Sequence, residues 1–341
     1  MKWKVILQPP DAETLVKWDE FLQHAAFPTH YTTPDFLVDP FVRGGERFAV
    51  LAFDEEKIAA VLTAVDAGQT IHSGLAVRPQ TAFRKDTNKL TAAKALIGGM
   101  LEKGGADLRF LEFYAWEKIE NIDETGFQTL KTESDNKIVM LDLSKGAEAI
   151  FKDFSQTRRN EIRKAIKQNA LEIREINSPH ELIELYEIHK DWCARKNIAP
   201  DSFEDFEFGY LHRDYRKILI AKHEGKVIAG SYYRFYKNGV VEYAGNNSRL
   251  EYQKFRPNDL IGWLSIEWAC EAGFKHYSMG GSHLFLRRFG GETVSTYRYK
   301  YDRSLLKIYN LKENVKNLSV NIYKGLPASV KSRIKQIAGK N

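Results

Sequence analysis

The sequence predicts an α+β protein of two similar units followed by a basic helical tail, and three observations carry that prediction. The chain has 341 residues, more than one typical domain, so two bodies of roughly 150 to 170 residues with separate cores are expected. One order of strand, turn and helix signals occurs twice along it, about 170 residues apart. Finally, the formal net charge of +6 is concentrated at one end.

The amino terminus, MKWKVILQPPDAE, holds one apolar run stopped by Pro9 and Pro10. That run is too short for a signal peptide or a membrane span, so a cytoplasmic protein is expected. Residues 48 to 77 then alternate as strand, acidic turn, strand, Ala-Gly turn, strand. The loop RPQTAFRKDTN follows, then an apolar-periodic helix, TAAKALIGGMLEKGG, and a strand, LRFLEFYAW. A further strand at Lys137 to Leu143 and a polar turn place a boundary near residue 145, giving units of 1–145 and 146–310.

The second unit opens on the basic stretch FSQTRRNEIRKAIKQN, in which Ser155 or Thr157 can cap a helix. Arg159, Arg163 and Lys167 share one face of that helix, and Ile162, Ala165 and Ile166 share another. Its cations face either solvent or an anion-binding cleft. A nucleic-acid reader would carry basic excess over the whole body, but residues 1 to 310 are formally neutral, so no DNA partner is expected. Residues 217 to 246 then repeat the three strands, with Lys226-Val227-Ile228-Ala229 answering Lys57-Ile58-Ala59-Ala60 and Gly245 answering Gly74. The loop NSRLEYQKFRPN, the helix DLIGWLSIEWACEAGF and the strand KHYSMGG complete the repeat. Each unit is thus a mostly antiparallel sheet with helices on its faces.

From Leu311 onward, seven Lys and Arg residues stand against Glu313 alone. Val315, Leu318, Ile322, Leu326, Val330, Ile334 and Ile337 recur in steps of three or four, one helical stripe that Gly325 and Pro327 should break in two. Such a tail (311–341) either rests on an anionic membrane at the cytoplasmic face or packs its stripe on the body. Cys193 and Cys270 lie far apart in sequence, and the nine histidines form no metal-ligand spacing, so neither a disulfide framework nor a metal site is expected.

The basic helix, the Ala229-Gly230 and Tyr243-Ala244-Gly245 strands, the helix start Pro257-Asn258-Asp259-Leu260 and the ending YSMGGSHLFLRRFGG together resemble the FemABX-like branch of the GNAT acyltransferase superfamily. The resemblance spans roughly residues 30 to 305. It implies two tandem GNAT-like domains, no tightly bound cofactor, and acyl-CoA as co-substrate; the alternative it implies is a Fem-type peptidyl transferase that uses aminoacyl-tRNA and a peptidoglycan precursor. The acceptor it implies is an amine or hydroxyl of an anionic cell-envelope sugar, lipid or peptide. Two positions depart from the family's pattern: Ser278 stands where Tyr-Asp is common before the glycine pair, and Leu286 replaces a lysine.

The resemblance also implies candidate roles. Glu242 is a possible base for the attacking amine, or else a cross-strand partner of Arg234 or Lys237. Arg287 or Arg288 stands in for the missing lysine in stabilising an oxyanion. Candidate substrate contacts are Tyr31, Arg159, Arg163, Tyr232, Tyr243, Gly280 and Gly281, with Asn246 and Asn258 flanking the loop that in a GNAT domain meets the pyrophosphate of acyl-CoA. That loop has no glycine here. A rival from another class is a catalytically silent double-GNAT binding module.

Overall fold

The computed structural model describes residues 1–39, 44–131, 137–237, 239–326 and 330. The first half runs β1 (Lys2–Ile6), α1 (Ala12–His24), β2 (Glu46–Asp54), β3 (Lys57–Asp66), β4 (Thr70–Ser73), β5 (Thr81–Phe83), α2 (Lys89–Gly104), β6 (Phe110–Ala115), β7 (Gln128–Lys131) and β8 (Lys137–Asp142). The second runs α3 (Ala147–Asp153), α4 (Gln156–Gln168), β9 (Glu172–Glu175), α5 (Pro179–Lys196), α6 (Phe203–Leu211), β10 (Arg216–His223), β11 (Lys226–Phe235) and β12 (Val240–Ser248). It continues with α7 (Pro257–Glu271), β13 (His276–Ser278), α8 (Leu284–Arg287), β14 (Glu292–Ser295), β15 (Tyr297–Asp302) and α9 (Ile308–Gly325).

These strands form two mostly antiparallel sheets flanked by helices, as the repeat predicts. Each contains a meander, β2-β3-β4 or β10-β11-β12, followed after a helix by a parallel partner, β6 beside β4 and β13 beside β12. The hairpin β10-β11 turns at Glu224 and Gly225, whose φ values of 50° and 79° are those of a tight turn with left-handed backbone.

The sheets do not divide at residue 145. Strand β8 lies between β14 and β13 in the second sheet, and β15 lies between β6 and β7 in the first. Each unit therefore lends a strand to the other, and the expected boundaries 1–145 and 146–310 are not those of the sheets. Partner choice over such sequence distance leaves no local pattern: β8 is a continuous apolar run and β15 alternates Tyr with polar residues, and neither pattern specifies a neighbour.

Both faces of each sheet are covered, which explains the near-continuous apolar runs of β2 and β3. Val50 and Leu62 face α2, where Leu96 and Met100 are fully buried. Leu51 and Val61 face α1, which packs Trp18, Phe21 and Leu22. In the second sheet, α3, α4 and α7 cover one face, and Leu182, Leu185, Ile188 and Phe206 of α5 and α6 cover the other. A side chain the size of Phe or Leu contributes roughly 1.5 to 3 kcal/mol when fully buried.

Helix α4 is the basic stretch, capped by Ser155, whose Oγ accepts from the Arg158 amide at 3.3 Å. Arg159 donates to the Lys152 and Phe154 carbonyls and so closes the C-terminal end of α3. Arg163 lies exposed over the Phe151 ring, 5.5 Å from its centre. The cation that turns inward is Arg158. It is buried, pairs with Asp259 of α7, and is held between the Phe285 and Phe289 rings at 4.4 Å from each. An arginine there is a packing element as much as a charge.

Candidate active site

The site begins with a parting of two strands. Parallel pairing of β12 with β13 ends at Glu242 and Ser278. Beyond that point β12 continues to Ser248 along β11, while Met279 turns to bond Val139 of β8. Gly280 makes the divergence possible, with φ 66° and a position where a Cβ would meet the Tyr243 carbonyl oxygen at 2.6 Å. Across β12, the register shifts so that Tyr232 faces Gly245 and Tyr233 faces Tyr243, leaving Ala244 as the extra residue of a bulge. The edge of β12 past Glu242 thus has no strand partner on the β13 side.

A cavity of about 390 Å³ fills this opening. Of the residues proposed from sequence, Tyr232, Tyr243, Asn246 and Gly280 line it. Four cations also line it, Arg78, Arg216, Lys217 and Arg234, against Asp201 and Asp205. Arg216 reaches down to Asp39, which also accepts from His30 at 2.6 Å, and His30 stacks on Tyr215 at 4.8 Å. Burial lowers the His30 pKa despite Asp39. The two halves of the chain are thereby joined beneath the cavity.

Glu242 belongs to this joint. Its carboxylate is buried and accepts from Arg78 of the first half, whose Nη2 also reaches the Ala244 carbonyl at 3.3 Å. Burial alone would raise the Glu242 pKa, but the charges of Arg78 and Arg234 outweigh it and hold the carboxyl below its usual range. A carboxylate held ionised in this way is a weak proton acceptor near neutrality, so the ion-pair alternative describes Glu242 better than the base. Arg234 is its cross-strand neighbour in register, as one alternative expected, and Arg78 of the first half bonds it as well. Tyr31 stands beside it, buried, on a smaller cavity shared with Arg78, Glu242 and Ser278.

The remaining expectations fall outside the cavity. Arg287 is exposed, and neither it nor Arg288 lines the opening; Leu286 does, in the lysine's place. Arg159 and Arg163 are engaged as described above. Gly281 and Asn258 lie off the lining, Asn258 donating to Ser248 Oγ at 3.1 Å. At the start of α7, where a GNAT domain receives pyrophosphate, the first turn holds buried Asp259. Its carboxylate is turned to Arg158 of α4 and ties the start of α7 to that helix.

A second wall went unread from sequence because it comes from α5 and α6, which fall outside the repeated order. His189 Nε2 accepts from the Asp201 amide at 3.0 Å, so Nδ1 carries the proton and donates to Asn247 Oδ1 at 3.1 Å. The Tyr232 hydroxyl donates to the same oxygen at 2.9 Å. Cys193 lies behind His189, with Sγ 3.5 Å from Nε2. It is buried, does not line the cavity, and its thiol pKa is raised by burial, which keeps it from being a thiolate nucleophile. Among the described residues no group of three or more His, Cys, Asp or Glu side chains is placed to hold a metal.

Comparison with known proteins agrees with this architecture. The acetyltransferase (GNAT) domain family matches residues 152–301. The structure of FemX is similar at 12% identity and a TM-score of 0.72, with 91% of this chain and 99% of that chain covered. The structure of L-PGS from Bacillus licheniformis is similar at 17% identity and a TM-score of 0.56, with 92% and 98% covered. A tandem GNAT protein from the clavulanic acid biosynthesis pathway follows at 10% identity and 0.52, with 89% and 99% covered. No curated protein matches the sequence. The two exchanged sheets and these likenesses give the chain the fold of FemX and of a tandem GNAT protein, with the GNAT family match falling on residues 152–301.

Proposed function

We propose that the protein is an acyltransferase that moves an acyl or aminoacyl group onto an amine or hydroxyl of a larger, anionic cell-envelope acceptor in the cytoplasm. The observation that carries this reading is the cavity where β12 and β13 part, lined by four cations and two acids. An acceptor amine entering it attacks the carbonyl carbon of a thioester or ester donor. The C–N bond forms, the C–S or C–O bond breaks, the thiol or hydroxyl leaves, and the amine's proton passes to solvent or the leaving group. The unpaired edge of β12 beyond Glu242 supplies backbone N–H groups for the developing oxyanion, and much of the rate comes from holding two substrates in line. Arg78, Arg216 and Lys217 are paired with Glu242, Asp39 and Glu175, so they offer an anionic group on the acceptor N–H donors held in place more than free charge.

Of the two donor classes, an aminoacyl ester carried on tRNA is favoured by one observation. The loop before α7 and the helix's first turn lack glycine, which makes a poor backbone cradle for the pyrophosphate of acyl-CoA. Calorimetry with acyl-CoA and with a non-hydrolysable aminoacyl-tRNA tests the proposal. Binding of either donor supports transfer, ribonuclease-sensitive activity assigns the tRNA donor, and binding of neither leaves a silent module.

A further inference from the structure

Helix α9 stands on the protein by one side only. Tyr309 stacks on Phe110 at 5.0 Å between ring centres, and Glu313 binds Arg298 and Lys300 of β15. At 100° per residue these two docked positions lie on the face opposite to Leu311, Val315, Leu318 and Ile322. Those four residues are 58 to 61% exposed, so the stripe that the sequence allows to pack on the body does not pack there. The part of the tail from 327 onward, apart from 330, lies outside the described residues.

The turn before α9 adds to the same surface. Leu306 and Lys307 have φ values of 61° and 52°, a left-handed conformation that costs a non-glycine residue free energy. The turn leaves Leu305 and Leu306 83% and 82% exposed. Leucines displayed by a strained turn are costly to leave in water. They border a hollow that also includes Arg109, Arg303, Tyr309 and Lys312. Arg109, Arg303, Lys307, Lys312 and Lys316 are all exposed, and the acid among them, Glu313, is already neutralised by Arg298 and Lys300.

We propose that this surface, Leu305-Leu306 together with the outward face of α9, docks on an anionic lipid bilayer. The helix then lies in the plane of the headgroups, about 27 Å long at 1.5 Å per residue, with its leucines in the acyl boundary and its cations at the phosphates. No helix among the described residues is long and apolar enough to cross a membrane, so the contact is peripheral. Charge argues against a second copy as the occupant. A two-fold contact through this face would set its cations against the same cations. The inference does not depend on the transferase reading.

Flotation of the full chain with vesicles tests it, comparing phosphatidylcholine vesicles with vesicles containing phosphatidylglycerol. The expected result is binding to the anionic vesicles that weakens with salt. Leu311→Ser with Leu318→Ser should lower partitioning at least about tenfold. Lys312→Glu with Lys316→Glu should lower it about tenfold or more on anionic vesicles and leave phosphatidylcholine unchanged. Thermal melting of both variants verifies that they fold, since every altered residue is exposed. No binding at low salt overturns the proposal, as does equal binding by both variants. A lipid-free dimer that the Leu311/Leu318 variant dissolves overturns it too, in favour of a second copy.

Discussion

Replacing Glu242 with Gln separates the two roles open to it. The residue is 6% exposed and its carboxylate is the anion facing Arg78 across the joint between the two halves. Gln keeps the shape but removes the charge, leaving the largely buried Arg78 guanidinium without its carboxylate. Breaking a buried pair on one side costs about 3 to 5 kcal/mol. With a urea slope of about 3 kcal/mol per molar, the midpoint should fall by about 1 M or slightly more. Arg78→Met made in the Glu242→Gln background should recover part of that loss, because the Arg78 charge goes with its partner while Arg234 stays, and the double-mutant cycle measures the coupling directly. Equilibrium urea unfolding and steady-state kinetics on the same preparations provide the readout. A Glu242→Gln protein as stable as its parent but with kcat reduced a hundredfold or more would refute the ion-pair reading and restore the base.

Four further outcomes are expected. Gly280→Ala drives a Cβ to 2.6 Å from the Tyr243 carbonyl at a φ of 66° and should cost about 1 to 3 kcal/mol and weaken donor binding. Gly281→Ala meets only Leu286 Cδ1 at 3.4 Å and should be nearly silent in the same melting and binding assays. The paired change of Arg159 and Arg163 to Ala should leave KM unaltered and cost about 1 kcal/mol, whereas Arg158→Met should cost about 3 kcal/mol or more by stranding Asp259. Glu181 accepts from Arg174 and Lys222, which bring its carboxyl pKa down to about 2 from 4.5. The unfolded chain then binds more protons, so this stabilisation is complete above about pH 4.5 and disappears as the pH falls toward 2. It amounts to about 3 kcal/mol, and Glu181→Gln should flatten acid unfolding over that window.

How much of this was legible in the sequence follows from which signals are local. The repeated meanders, the helix at 156–168 with its Ser155 cap, and the strand at Lys137 are written in periodicity over short windows. Helix α1 carries the same kind of signal in Thr14, Trp18, Phe21 and Leu22, but an argument from repeated order passes over any element without a counterpart. The same holds for α5 and α6, and with them for His189 and Asp201. Charge density misdirected attention within α4: Arg159 and Arg163 sit on a regular face, yet the buried Arg158 is the one in contact with a carboxylate. Arg78 begins a loop with no periodic pattern, so nothing near it marks it as the partner of a residue 164 positions away.

The exchange of β8 and β15 also bears on how the chain is made. Strand β15 occupies the place between β6 and β7, so the first sheet stays open until residue 302 has left the ribosome. At about 5 to 20 residues per second, β6 waits roughly 10 to 40 s after its own synthesis with an unpaired edge. A nascent N-terminal half is therefore a client for chaperones and a poor candidate for separate expression. A stop codon placed anywhere before Tyr297 should yield an aggregating fragment in place of a smaller folded protein.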